Sequence, residues 1–288
     1  MGRQLVARLP SYVSRAMEAW KDVSGTAGQS ASVVLAGDPR LVGLAQQQFS
    51  AGGTLPGSWV RPLAELSTFS SVPGEVLVVF ARPEEEGEVL DALAHANPKG
   101  KAIVAVDEGP DATNRAKYPG NRCIRLSFAN TPAGWGRLFG LCAEAAGEHA
   151  AALGRRYPAL RSAAADRVIT RTSGQNALIG LAFFVPGADL PAMTLNQAKM
   201  ALSVASIYGE DLNKERVVEL AAIVAAGFGL RAAARHLSRS VPGIGWVVKA
   251  GTGYAATMAM GKGAVRYFEK GAPASTSRVV GLVGSLRH

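Results

Sequence analysis

A chain of 288 residues is long enough for two domains with separate cores. Its 48% apolar content and mean hydropathy of +0.12 place it at the oily end of soluble proteins, and two cysteines exclude a disulfide framework and fit a reducing compartment. The net charge of +9 is unevenly divided, with 14 Lys+Arg against 15 Asp+Glu in residues 1–150 and 17 against 7 in residues 151–288. A basic, apolar second half suggests an anionic membrane surface or an acidic partner ahead of nucleic acid. The plainer reading is that the arginines solubilise an oily helical domain.

In chain order, Leu5, Val6, Leu9, Val13, Met17 and Trp20 recur at helical spacing, with Pro10 interrupting, and predict a short amphipathic helix over 3–21. Such a stripe docks on a neighbouring domain or lies on a membrane. Met1–Asp22 has no continuous apolar stretch, so no signal peptide is expected, and Val6 stands where a myristoylation motif needs Ser or Thr.

Strands are predicted at Ser32–Ala36, Gly74–Ala81, Lys101–Val106 and Cys123–Phe128. Helices are predicted between them at Arg40–Phe49 and Glu84–Asn97, and after them from Ala133 to about Arg156. Short apolar β-branched runs alternating with helices predict a parallel sheet covered on both faces. From Tyr157 onward only helices are predicted: Ala159–Phe184, a segment ending at Tyr208 with Gly209 as its stop, Lys214–Ser238 behind Asn213, and Ile244–Lys270. Thr194 to Gln197 has capping-box spacing, with Asp189 ahead of Leu190-Pro191 as a rival cap. These patterns place a domain boundary near residue 150.

Segments 176–194, 217–235 and 244–261 are apolar enough to raise membrane insertion. Pro186, Gly187 and Asp189 interrupt the first, Glu219, Arg231 and Arg235 the second, and Lys249 and Lys262 flank the core of the third. Each charge at a bilayer centre costs about 2.5–3.5 kcal/mol on the insertion scale. A buried helical bundle that docks on a membrane is therefore expected, with a hairpin of short inserted helices as the rival. Gly251, Ala255, Ala259 and Gly263 form one row of small side chains, and Gly253, Thr257 and Gly261 a second, both suited to close helix packing.

No catalytic motif emerges. After the first strand, Gly37 and Gly43 stand six apart rather than five, no Lys-Ser or Lys-Thr follows, and Pro39 removes an amide donor, so a phosphate-binding P-loop is not formed. The two GxGxx[GA] stretches, at Gly227 and Gly251, lie in predicted helices and lack the strand-to-helix turn that dinucleotide binding requires. His95, His149, His236 and His288 do not join the cysteines at metal spacing, and no GxSxG elbow nominates a serine. No metal or cofactor is expected. Glu84, Glu85, Glu86 and Glu88 open a helix, where negative charge suits the macrodipole.

Arg155, Arg156, Arg161, Arg167 and Arg171 are the candidate membrane or partner surface, with a solvated helix face as the alternative. Asp189, Gln197, Glu219 and Arg231 are polar groups among apolar neighbours, read as capping plus one ion pair or as a polar centre.

Tyr157-Pro158-Ala159-Leu160, Asn176 to Ile179, Pro186-Gly187-Ala188-Asp189-Leu190-Pro191, Thr194 to Gln197 with Met200, and Tyr208-Gly209-Glu210 occur in this order. Glu219-Leu220-Ala221, Gly227-Phe228-Gly229 with Arg231, Pro242-Gly243, and Gly245-Trp246 follow. Over about 155–270 this combination resembles the helical domain of unknown function attached to some Era-like bacterial GTPases and found in YcjF-type inner-membrane proteins. The resemblance implies an all-helical, membrane-assigned module with no catalytic residues. It also implies that residues 1–150 occupy the position of a GTPase. Val106-Asp107-Glu108 lacks the guanine-reading Asn-Lys-x-Asp, and Ser127-Phe128 echoes the last base-contacting loop, so a degenerate GTPase-like α/β domain is expected. The expected fold is that α/β domain with its N-terminal helix, followed by a helical bundle domain over 151–288. The expected function is a non-enzymatic scaffold on the inner face of the cell membrane, with a possible homo-oligomer. An atypical GTP/GDP-binding switch is the alternative.

Overall fold

The computed structural model describes residues 17–25, 31–50, 60–61, 65–66, 74–95, 102–109, 115–117, 123–182, 190–210 and 245–270. The chain divides into two compact units, one of Gly28–Arg167 and one of Met1–Ala27 with Val168–His288.

The first unit is an α/β domain. Its strands are β1 (Ser32–Gly37), β2 (Val60–Arg61), β3 (Glu75–Ala81), β4 (Ala102–Asp107), β5 (Arg115–Lys117) and β6 (Cys123–Phe128), in the order β2-β1-β3-β4-β6-β5. All neighbours pair in parallel except β5 with β6. The four apolar runs of the sequence become β1, β3, β4 and β6. The short β2 and β5 carry no such run and were not expected.

Both faces of the sheet are buried, which explains why these strands read as unbroken apolar runs. Alternate residues supply the two faces. Val33, Leu35, Val76, Val78, Phe80, Ile103, Ile124, Leu126 and Phe128 meet α2 (Pro39–Ser50) and α4 (Pro132–Ala146) through Leu41, Phe49, Trp135 and Leu138. Val34, Leu77, Val79, Val104, Val106 and Cys123 meet Val89 and Leu93 of α3 (Glu86–His95). Cys123 and Cys142 therefore lie in different cores, and both are free and buried.

The unit extends past the boundary expected at 150. Gly147, at φ 59, ends α4, and α5 (Ala150–Arg156) returns the chain to the sheet. Leu153, Tyr157 and Leu160 are buried in the same core as Phe49. The Tyr157 ring meets Phe49 edge-on at 5.9 Å, and its hydroxyl accepts the Val33 N–H at 3.2 Å. That amide is in the part of β1 that β2 does not reach, because β2 pairs only with Leu35 and Ala36. Tyr157 thus completes the α/β core, although its Tyr-Pro pattern had been grouped with the helical half.

The second unit is helical among the described residues. It contains α1 (residues 17–25), most of α6 (Arg161–Ala182), α7 (Leu190–Ile207) and α8 (Gly245–Glu269). Ala19 and Val23 of α1 pack on Ala198 and Leu202 of α7, and Lys199 pairs with Asp22 at 2.5 Å. The described part of the amphipathic N-terminal segment therefore docks on the helical unit rather than on the α/β domain with which it had been grouped. Ile169, Met200 and Val204 form a further core with Met258, Met260, Val265 and Phe268 partly buried against it. The helix expected at Lys214–Ser238 lies outside the described residues.

Candidate functional site

Open parallel sheets take their ligands outside the carboxyl ends of the strands, where the strand order reverses. Here the chain leaves β1 toward β2 on one side and reaches β3 on the other, so this point lies between β1 and β3. The residues there are Asp38, after β1, and Arg82, after β3.

Asp38 occupies the position an anion would need. It precedes Pro39 at the first turn of α2, a sequence suited to helix initiation. Its Oδ1 accepts the N–H groups of Arg40 and Leu41, both at 3.0 Å. Those amides are the donors that a phosphate at a helix N-terminus would use. The loop cannot open easily, because Gly37, at φ 103, lies so close to β3 that a Cβ would fall 1.9 Å from the Phe80 carbonyl oxygen. The Asp38 N–H donates to that same oxygen at 2.9 Å.

Arg82 bridges the crevice to Asp38 at 3.4 Å and also pairs with Glu84 and Glu85. The Glu85 carboxylate accepts the Arg82 N–H at 3.0 Å, closing the turn that leads into α3. The hydrogen bond from the Arg82 guanidinium is the main cause that holds the Glu85 carboxyl below its ordinary range. Arg40 reaches Asp107, at the end of β4, at 3.2 Å.

A second cluster surrounds Arg125 on β6. Its Nε and Nη2 donate to the two carboxylate oxygens of Glu86 at 2.7 and 2.9 Å, a paired geometry suited to guanidinium and carboxylate. Arg125 also donates to Glu108 at 2.5 Å and to Ser127 Oγ at 2.9 Å. These carboxylates push the Arg125 guanidinium up, and the Arg125 hydrogen bond is the leading cause that lowers Glu108. Asp107, Glu108 and Ser127, the positions compared above with guanine-reading loops, are thus engaged in ion pairs or hydrogen bonds within this rim. Glu86 is one of the four acids whose spacing suits a helix start. Its partner lies 39 residues away, a separation that local sequence does not encode.

The five arginines do not form one stripe. Arg155 and Arg156 are exposed at the end of α5, Arg161 and Arg167 are half-buried, and Arg171 is exposed in the other unit.

In the helical unit, two of the expected signature residues meet. Asn176 of α6 and Gln197 of α7 both donate to Thr257 Oγ1 of α8, at 3.0 and 2.8 Å. Thr257 donates in turn to the Gly253 carbonyl at 2.8 Å, and Asn196 donates to Asn176 Oδ1 at 3.1 Å. Asn176, Gln197 and Thr257 are fully buried. Thr194 and Gln197 lie inside α7, which begins at Leu190, so their capping-box spacing does not start that helix. Tyr208 and Gly209 close α7. Gly209 has φ 88, and the Glu210 N–H reaches back to the Ala205 carbonyl at 3.1 Å. The Tyr208 hydroxyl donates to Glu269 at 3.0 Å. Gly245 and Trp246 begin α8, while Pro186, Gly187, Asp189, Glu219 and Arg231 lie outside the described residues.

The two rows of small residues on α8 have different fates. Gly253 approaches Asn176 and Met193, Thr257 is buried, and Gly261 sits against Ile169. Gly251, Ala255, Ala259 and Gly263 are exposed.

No family model, curated protein or solved structure matches the chain. Among the described residues no group of His, Cys, Asp and Glu could hold a metal ion, and no helix is long and apolar enough to cross a membrane.

Proposed function

We propose that this protein is a non-enzymatic scaffold whose α/β unit is a degenerate GTPase-like domain that binds a protein partner, and whose helical unit docks on the anionic inner face of the cell membrane. The observation that carries the first part is the Asp38 carboxylate on the α2 amides, with Arg82 drawn across the crevice. A nucleotide phosphate arriving there would have to displace a carboxylate from its own helix N-terminus and open the turn held against Phe80. It would also meet Asp107, Glu84 and Glu85, whose negative charge opposes it.

Docking of the helical unit is supported by the basic excess of its residues 168–288, 13 Lys+Arg against 6 Asp+Glu. Its described helices contain a buried amide and hydroxyl cluster where insertion would need an apolar span. The YcjF-like pattern of Asn176, Gln197, Tyr208 and Gly209 is in keeping with this reading.

Thermal denaturation of the full chain with GTP, GDP or ATP and Mg²⁺ tests the first part. The account predicts no change in Tm with any of the three. A rise that grows with nucleotide concentration would establish ligand binding to the native state and favour a GTP/GDP switch.

A further inference from the structure

The helices of the helical unit are buried to very different degrees. On α7, Met193, Met200, Leu202, Val204 and Ile207 are each at most 3% exposed. On α8, the buried positions among the described side chains are Thr257 and Gly261, a hydroxyl and a residue with no side chain. Its larger apolar groups, Met258, Met260, Val265 and Phe268, are only partly buried, against Ile169, Met200 and Val204. The contact between α1 and α7 is a separate core, in which Ala19 and Val23 meet Ala198 and Leu202. Departure of α8 would leave that second core whole.

The middle of α8 is joined to its neighbours through polar groups. Thr257 Oγ1 accepts from Asn176 of α6 and Gln197 of α7 and donates to the Gly253 carbonyl, so its hydrogen-bonding capacity is filled. The layer around it is not filled. Gln197 Oε1 and Ser173 Oγ are buried without a hydrogen-bond partner, and both residues have no exposure. Gly261 meets Ile169 and Gly253 meets Asn176, so Ser173, between them on the same stripe of α6, faces the level of Thr257. A buried hydrogen bond adds little net stability, because the open state bonds to water instead, whereas an unpartnered buried oxygen costs its full desolvation. A polar layer satisfied only in part is therefore a weak joint.

We propose that α8 is a detachable strap, which undocks from α6 and α7 as one unit while α1 stays on α7. Undocking opens the polar layer, gives Ser173 and Gln197 access to water, and uncovers the face formed by Ile169, Met200 and Val204. It also parts the stacked rings of Tyr208 and Phe268, 6.2 Å apart, and the hydrogen bond from Tyr208 to Glu269. Elements that open ahead of global unfolding are those with few buried apolar contacts, which is the condition of α8. The inference stands independently of the membrane reading above.

Native-state amide hydrogen exchange of the full chain, read by mass spectrometry, tests this. Peptides from the middle of α8 should exchange at least about tenfold faster than peptides from α7, and together with one another. Thr257→Val keeps the side-chain shape but leaves the Asn176 and Gln197 amides without their acceptor. It should speed exchange of α8 by a further factor of about ten and leave α7 within about twofold of the unmodified chain. One common exchange rate for α7 and α8 in the unmodified chain would overturn the strap, since the helices would then open together. So would an equal acceleration of both helices by Thr257→Val. An unchanged α8 in the folded variant would overturn the polar layer as its joint. If the variant does not fold, the comparison of α7 with α8 in the unmodified chain decides.

Discussion

Arg40, Arg82 and Arg125 each draw carboxylates around the carboxyl rim of the sheet, and two of those carboxylates carry a pH signature. Glu85 and Glu108 are held below their ordinary value of 4.5, mainly by hydrogen bonds from Arg82 and Arg125. A carboxyl group depressed in the folded state stabilises it above the unfolded value, and that contribution is lost as pH falls through the folded value. Tm should therefore decline on acidification below about pH 4.5, and Glu108→Gln should flatten part of that decline while lowering Tm at neutral pH. Thermal melts across the acid range check both. An identical acid limb in the variant would show that the Arg125–Glu108 contact is not linked to folding. The carboxylates of this rim were visible as residue types in the sequence. Their pairing was not, because Arg40 meets Asp107 and Arg125 meets Glu86 across separate strand and helix ends.

At the scale of elements, α8 shows what residue spacing reveals and what it leaves open. Its two rows of small side chains were legible as helix-packing faces, but nothing in their composition distinguished the packed row from the exposed one. The difference comes from Ile169 and Asn176 on α6. It predicts opposite responses to the same substitution. A Cβ at Gly261 would fall 2.5 Å from Ile169, whose β-branched side chain has little room to yield, so Gly261→Ala should destabilise by about 1–3 kcal/mol. Gly263 has open space around it, and Gly263→Ala should stabilise by about 0.5–1 kcal/mol through helix propensity. Urea unfolding of the two variants measures the contrast, and equal effects would contradict this packing. Strands β1, β3, β4 and β6 were legible because burial on both faces leaves unbroken apolar runs. The short β2 and β5 were not, since pairing rather than composition defines them. The end of the α/β unit was misplaced for a similar reason: Tyr157 and Leu160 belong to it through contact with Phe49 and the sheet, while their local pattern is that of a helix start.

Over the whole molecule, the two units divide the work in the account proposed above. In the α/β unit, the ligand end of an open sheet is closed by its own Asp38–Arg82 pair. The helical unit combines a buried polar layer at Thr257 with an excess of basic residues. The basic excess was legible from composition, but its arrangement was not: Arg161 and Arg167 are half-buried, so only part of the arginine series is exposed. The most direct measurement is flotation of the full chain with anionic and neutral vesicles at low and high salt. The account predicts flotation with anionic vesicles, little with neutral ones, and release at high salt, because docking through exposed basic groups is screened. Absence from both vesicle fractions at low salt would contradict it.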